Sequence, residues 1–168
     1  MQKKLCYVFL GLCVALAAQA QLLPKRLMAV WPAGWEVQAS QVKDNVLYEE
    51  AAQLREGKEI QHLQITAITP VQKTPLDDKS LRDFAKNLRD TVLKIASEKS
   101  IELKLFPSAR GYYFSATDKT VKPNEYRQLV EGVMIAERCL VNFTLLTNDV
   151  NSADAKAMIL ALDNLSIR

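Results

Sequence analysis

The clearest pattern in the chain is an apolar stripe at helical spacing in its middle third. Leucine, phenylalanine, valine, isoleucine and alanine recur every three or four residues through 81–96, so they share one side of a helix. Ser80 and Asp83 have the spacing of a capping box, and Asp77 and Asp78 carry the negative charge that favours a helix start. The pattern predicts an amphipathic helix over residues 81–96.

Alternating apolar and polar positions on either side of this helix predict strands. The clearest alternation lies at 59–68, where every second residue from Leu63 to Ala67 is apolar. Segment 46–54 fits either a strand or a helical face, and the short turn at 55–58 favours a strand because it suits a hairpin. Four more strands are predicted after the helix, at residues 101–106, 111–117, 126–135 and 139–147.

A second helical stripe closes the chain. It begins near Ser152, with Asn151 or Ser152 as the cap, and its apolar side carries Ala155, Met158, Ile159, Leu162 and Leu165. Short connections between the strands imply a mainly antiparallel sheet, on which both helices must bury their stripes. The sequence therefore predicts a single α+β domain with a mainly antiparallel sheet flanked by two amphipathic helices.

The first twenty residues have the pattern of a secretory signal. Lys3 and Lys4 precede an apolar run at 5–18, and Ala18-Gln19-Ala20 forms a small-x-small cleavage site. The apolar run has 14 residues, fewer than the roughly 20 that a membrane-spanning helix needs. We expect a cleaved signal peptide at 1–20, a mature domain at 21–168, and a periplasmic or secreted bacterial protein without a stable membrane anchor.

Composition and charge limit the classes of partner that are expected. The chain has 168 residues, close to the common single-domain size of about 150, and 49% of them are hydrophobic. It has 22 basic and 19 acidic residues, and loss of Lys3 and Lys4 with the signal leaves the two nearly equal. This balance does not favour nucleic acid or an anionic membrane as a partner. Cys139 remains as the lone cysteine of the mature chain, in an apolar strand where a core position is expected.

Catalytic and metal-binding patterns are sparse. His62 is the single histidine, so a nucleophilic mechanism would have to use it, with Cys139 as a conceivable partner. One histidine and no cysteine pair exclude the common zinc signatures. The adjacent acids Glu49 and Glu50 would point to opposite faces of a strand and are expected at the surface. The sequence predicts no catalytic set, no metal site and no cofactor.

Aromatic and basic side chains around one loop and one turn are the candidate interface. Tyrosine and tryptophan anchor interfaces with little loss of rotamer freedom, although they also fill the edges of cores. Alternation does not allow Tyr112 and Tyr113 both to face inward, so one of them is expected to be exposed. The candidate set comprises Tyr112, Tyr113, Lys119, Lys122 and Tyr126 around the loop, and Trp31 and Trp35 beside the turn.

Several short motifs resemble one family. The segment Pro32-Ala33-Gly34-Trp35 resembles the Pro-x-Gly-Trp turn that begins many Mog1/PsbP-like domains, and the order of elements is similar across residues 29–168. Segments 111–118 and 143–149 resemble secreted bacterial proteins of unknown function in that group. The resemblance implies an α/β/α sandwich and a non-catalytic role as an accessory, chaperone or binding module, with no catalytic residue to carry over.

These observations together favour a soluble periplasmic binding or accessory module without enzymatic activity. Its partner is expected to be another protein or an envelope component. Two alternatives stay open, an immunity-type inhibitor of a toxic enzyme and a hydrolase that depends on His62.

Overall fold

The computed structural model describes residues 27–69 and 77–167, so the predicted signal peptide lies outside the described residues. Their strands are β1 (Leu27–Met28), β2 (Trp35–Lys43), β3 (Val46–Arg55), β4 (Lys58–Ile68), β5 (Lys104–Leu105), β6 (Gly111–Thr117), β7 (Gln128–Ala136), β8 (Cys139–Thr147) and β9 (Ser166–Ile167). Their helices are α1 (Asp78–Leu93) and α2 (Ala153–Asp163). The predicted class, a mixed fold with a mainly antiparallel sheet and two helices, is confirmed.

The main sheet runs in the order β2-β3-β4-β8-β7-β6-β5, and all neighbouring strands are antiparallel. Strands β1 and β9 form a separate antiparallel pair. Segment 46–54 is a strand, as the hairpin interpretation predicted. Its turn to β4 places Glu56 and Gly57 at φ values of 52° and 74°, and glycine adopts this left-handed conformation without steric cost.

The two helices pack on opposite faces of this sheet. Met158 and Leu162 of α2 join a core with Leu63, Phe143 and Leu145, all fully buried. The side chains of α1 contact the other face of the sheet, with Leu81 and Ala85 beside Val133 and with Val92 beside Phe114. We call these the α2 face and the α1 face. Neither described helix is long and apolar enough to cross a lipid bilayer.

Helix α1 begins one turn earlier than predicted. Its N-cap is Asp77, whose Oδ1 accepts a hydrogen bond from the backbone N–H of Ser80 at 2.7 Å. The predicted capping box of Ser80 and Asp83 is therefore wrong, because both residues lie inside the helix. The apolar stripe continues past the helix end, where Ala96 is buried and bridges to Asp118.

Two edge strands differ from the prediction. No range was predicted for strand β2, because much of its sequence is polar and most of its side chains are exposed. Strand β5 contains two residues rather than the predicted six, since pairing with β6 is confined to Lys104 and Leu105. Ile101 and Phe106 are nonetheless buried, Ile101 on the α1 face and Phe106 in the core beneath α2.

Helix α2 is held at both ends. Ser152 is its N-cap, as predicted, and its side chain accepts from the N–H of Ala155 at 3.2 Å. At the other end, the Arg110 guanidinium donates to the backbone carbonyls of Asp163 and Leu165. The Asp163 carboxylate in turn accepts from the backbone N–H of Ser108. The turn before β6 is thereby bonded to the C-terminus of α2.

Candidate functional site

Helix α1 covers only part of its face of the sheet. It packs on β6 and β7, where its apolar side chains meet Phe114 and Val133. The same face continues across β8, β4 and β3, and the apolar clusters beneath α1 include no described residue of β4 or β3. An amphipathic helix therefore lies beside a stretch of sheet that it does not cover.

Polar side chains occupy this uncovered stretch at matching positions on successive strands. Glu50 lies opposite Gln64, Gln64 opposite Thr144, and Thr144 opposite Glu131. Opposite residues of antiparallel strands share a face, so the four form one continuous row. A second row lies beside it, and we call the two together the polar face: Glu50, Gln64, Thr144, Glu131, Tyr48, Thr66 and Asn142.

Hydrogen bonds hold the polar face in place. The Glu50 carboxylate accepts from the Tyr48 hydroxyl and from Gln64 Nε2, the latter at 3.2 Å. Asn142 Nδ2 donates to the backbone carbonyl of Gly132 at 3.2 Å. All seven side chains are half-buried, so part of each remains accessible. None of the seven is a lysine or an arginine, and the two charged members are both acids.

Glu131 lies at the boundary between the polar face and the part of the sheet under α1. Phe114 is its neighbour on β6, and Leu129 and Val133 flank it along β7 on the same face. Burial raises the pKa of Glu131 to about 7, and a hydrogen bond from Asn142 opposes that rise. A carboxyl with such a pKa both donates and accepts protons near neutral pH, which is common at functional sites.

His62 lies on the same face of the sheet, near the start of β4. Its Nδ1 is 3.3 Å from Glu59 Oε1, and the Tyr126 hydroxyl donates to the same oxygen at 2.8 Å. Its neighbours on the adjacent strands are Leu146 and Ala52, neither of which carries a nucleophile.

Cys139 and His62 are not brought together. Cys139 is buried on the α2 face, whereas His62 and the opposite Leu146 lie on the α1 face. Along β8 the two positions are seven residues apart, about 23 Å in a strand. The predicted core position of Cys139 is confirmed, and the conceivable Cys139–His62 pair is excluded by this geometry.

The aromatic residues of the candidate interface lie in different environments. Trp35 is buried in the core, where its Nε1 has no hydrogen-bond partner among the described residues, and Trp31 packs half-buried against the same core. Tyr113 contacts Phe106 on the α2 face at a ring-centroid distance of 4.8 Å. Tyr112 lies on the α1 face, where its hydroxyl donates to Asp78 at 2.8 Å.

The expectation that Tyr112 or Tyr113 would be exposed is wrong. Both are half-buried, because α1 covers one face of β6 and Phe106 covers the other. Since the two rings lie on opposite faces, they do not belong to one surface.

The remaining three residues of the candidate interface lie around the loop between β6 and β7. Lys119 donates to the backbone carbonyl of Lys94 at 2.8 Å, and Lys122 is exposed. Tyr126 is half-buried, and burial together with its bond to Glu59 raises the pKa of its hydroxyl. The seven predicted residues thus do not form one patch in the structure.

The adjacent acids Glu49 and Glu50 point to opposite faces, as predicted, but Glu49 is not the surface residue that was expected. Glu49 is buried on the α2 face, where it accepts from the Ser40 hydroxyl at 3.3 Å, and Glu50 belongs to the polar face. Glu49 is flanked along β3 by Leu47 and Ala51, which belong to the buried core of the α2 face. The described residues contain no group of three or more side chains that could hold a metal ion.

Sequence reasoning missed the polar face. Its signal was present in the polar positions between the apolar ones of β4 and β8, such as Gln64, Thr66, Asn142 and Thr144. Alternation along one strand does not show which polar positions on other strands are its neighbours, and only the strand order shows that these adjoin one another beside α1.

The comparisons with known proteins supply no relative. Neither a protein-family model, nor a curated protein, nor a solved structure matches the chain. Any proposal on function therefore rests on the sequence and on the geometry of the site.

Proposed function

We propose that the chain is a non-catalytic binding module of the bacterial periplasm, and that the polar face is its binding surface. The observation that carries this proposal is the continuous row of Glu50, Gln64, Thr144 and Glu131 across four strands. A row of half-buried donors and acceptors beside an amphipathic helix is suited to hold a partner by several directed hydrogen bonds.

The chemistry of the polar face limits what it binds. It offers amide, hydroxyl and carboxyl groups and no lysine or arginine. A partner bearing amine, amide or hydroxyl groups finds complementary acceptors and donors there, whereas a phosphate or carboxylate finds no cation. The favoured partner is another protein or an envelope component that presents such groups.

The proposed compartment rests on the sequence. The charged start, the apolar run at 5–18 and the cleavage triplet ending at Ala20 favour export and removal of residues 1–20. Mass spectrometry of the periplasmic fraction should find a mature protein that begins at Gln21. An intact chain beginning at Met1 in the membrane fraction would contradict it.

The resemblance to Mog1/PsbP-like domains supports the same role. Within that group, an α/β/α sandwich usually serves as an accessory, chaperone or binding module. The motif at 32–35 and the order of elements carry this resemblance, and the assignment to the group is part of the proposal.

A periplasmic pull-down with matched variants tests the binding role. Gln64→Leu and Thr144→Leu together would remove hydrogen-bonding groups from the centre of the polar face. The control is Lys156→Leu, at an exposed position of α2. We expect molecules retained by the wild type and the control to be lost from the double variant. Retention by all three proteins alike, or by none, would contradict the proposal.

Hydrolysis dependent on His62 is the alternative that the geometry addresses. Glu59 is placed to orient the imidazole, as in nucleophilic hydrolases, but the neighbouring positions Ala52 and Leu146 offer no nucleophile. If a hydrolytic turnover is measured and His62→Ala abolishes it, the non-catalytic role is wrong.

A further inference from the structure

The outer edge of β2 is the long free edge of the sheet. The strand has nine residues and stands at one end of the strand order, and no described strand pairs with its outer side. Val37 and Val42 expose 45% and 46% of their surface there. The opposite edge strand, β5, has two residues. A long exposed edge with apolar side chains is a template on which another strand can pair.

The sequence of β2 is complementary to itself when it runs in the opposite direction. If Val37 is set opposite Val42 of a second antiparallel copy, Glu36 falls opposite Lys43. Two-fold symmetry repeats each match, giving two Val–Val pairs and two Glu–Lys pairs. Neither Glu36 nor Lys43 has an ion-pair partner among the described residues.

The faces of these side chains also match. Val37 lies opposite Ala51 and Ala39 opposite Glu50, so Gln38 is the extra residue of a β-bulge. Past the bulge, Ser40 and Val42 lie on the α2 face with Val37. In the paired copies the valines therefore meet on the α2 face and the Glu–Lys pairs on the α1 face. Because the bulge residue Gln38 does not count in the pairing, Ser40 lies midway between Val37 and Val42 and faces its own counterpart on the two-fold axis.

We propose that β2 pairs with β2 of a second copy of this chain, joining two sheets into one through a two-fold interface. A lysine and a bulge on an edge strand disfavour pairing with an arbitrary strand. In the self-paired register Lys43 lies opposite Glu36 of the other copy. The same lysine therefore favours pairing with a second copy of this chain over pairing with other strands. A single strand pair is a small interface, and the dimer forms in a concentration-dependent manner.

Charge reversal tests the pairing. In sedimentation equilibrium, the wild-type mass should rise towards twice the monomer mass as concentration increases. Glu36→Lys places a positive charge opposite Lys43 of the other copy at both symmetry-related positions. It should weaken dimerisation about tenfold or more. Combining it with Lys43→Glu restores opposite charges and should restore the dimer. Lys104→Glu on β5 is the control and should leave the mass unchanged. A monomer at every concentration, a dimer indifferent to Glu36→Lys, or a failed restoration overturns the proposal.

A disulfide on the symmetry axis gives an independent measurement. Directly opposite residues in antiparallel strands have Cα atoms about 4.5–5.5 Å apart, within the range that a disulfide spans. Under mild oxidation Ser40→Cys should form a covalent dimer, whereas Val37→Cys, which would face Val42, should not. Cys139 is buried and does not interfere. Equal cross-linking of both variants, or of neither, contradicts the register.

Discussion

Glu131 and Phe114 lie directly opposite each other on neighbouring strands, at the place where α1 covers the sheet. A carboxyl group and an aromatic ring therefore share one environment, and the carboxyl is shielded from water on that side. On its other side Glu131 faces Thr144 and the polar face. Glu131 therefore belongs both to the packing beneath α1 and to the candidate site.

The Glu131 carboxyl should make stability depend on pH. Its pKa in the folded protein is about 7 because of burial, against an ordinary value of 4.5. A raised folded pKa means that the folded state binds the proton more tightly. The contribution of this carboxyl to the free energy of unfolding is therefore fully present below about pH 4.5. It is lost as pH rises through about 7, by about 3 kcal/mol.

Glu131→Gln should remove this dependence. Urea unfolding from about pH 4.5 to about pH 8 should show the wild type losing stability relative to the variant. If the two stabilities run parallel across that range, Glu131 does not titrate as its environment implies.

The packing of α1 predicts unequal effects at two adjacent helix positions. Leu88 is half-buried and contacts the clusters around both Phe114 and Val133. Leu88→Ala should cost about 2 kcal/mol, near the low end for such truncations because the site is partly open. Arg89 pairs with its exposed neighbour Asp90, so Arg89→Ala should change stability by less than about 0.5 kcal/mol. Equal urea midpoints with unchanged slopes would show that α1 does not pack as described.

The sequence pattern is sufficient to predict the strands in the interior of the sheet, but it is insufficient to predict the strands at the edges. Strands β4 and β8 alternate strictly because one of their faces is the α2 core, and both were predicted. Strand β2 follows no such alternation, since it has a bulge and its side chains lie mostly in solvent. Strand β2 is held in the sheet by backbone hydrogen bonds to β3, and the pattern of its side chains reflects these bonds only indirectly.

The candidate site was predictable only in its parts. Gln64, Thr144 and Glu131 come from three strands, and their adjacency depends on β8 lying between β4 and β7. That order is a long-range property that no local pattern specifies. The candidate interface residues show the converse, since Tyr112 and Tyr113 are adjacent in sequence yet lie on opposite faces of the sheet.

The bond between Asp163 and Ser108 should contribute measurably to stability. Asp163 is buried, and its carboxylate accepts from both the backbone N–H and the hydroxyl of Ser108. Asp163→Asn should cost about 1–2 kcal/mol, because an amide nitrogen would replace one of two accepting oxygens. Asp90→Asn, at an exposed position of α1, is the matched control and should be nearly neutral. Equal thermal midpoints for the two variants would be incompatible with this bond.

The close approach of β7 to the Phe143 ring predicts a large effect at Gly132. A Cβ there would lie 2.6 Å from two carbons of the ring and 2.8 Å from the Tyr112 carbonyl oxygen. Gly132→Ala should destabilise the fold by about 2 kcal/mol or more. Gly57→Ala is the comparison, because open space surrounds it and only its φ of 74° opposes the change, at about 1 kcal/mol. A Gly132→Ala variant as stable as the wild type in urea would contradict the packing.

Photo-cross-linking in the periplasm tests the central claim, that the polar face is the binding surface, most directly. A photoreactive amino acid in place of Thr144 stands in the middle of the polar face, and one in place of Leu160 stands on the exposed side of α2, across the sheet. We predict a discrete adduct from position 144 upon illumination and none from position 160. Adducts from position 160 alone, or none from position 144, would contradict the assignment of the polar face.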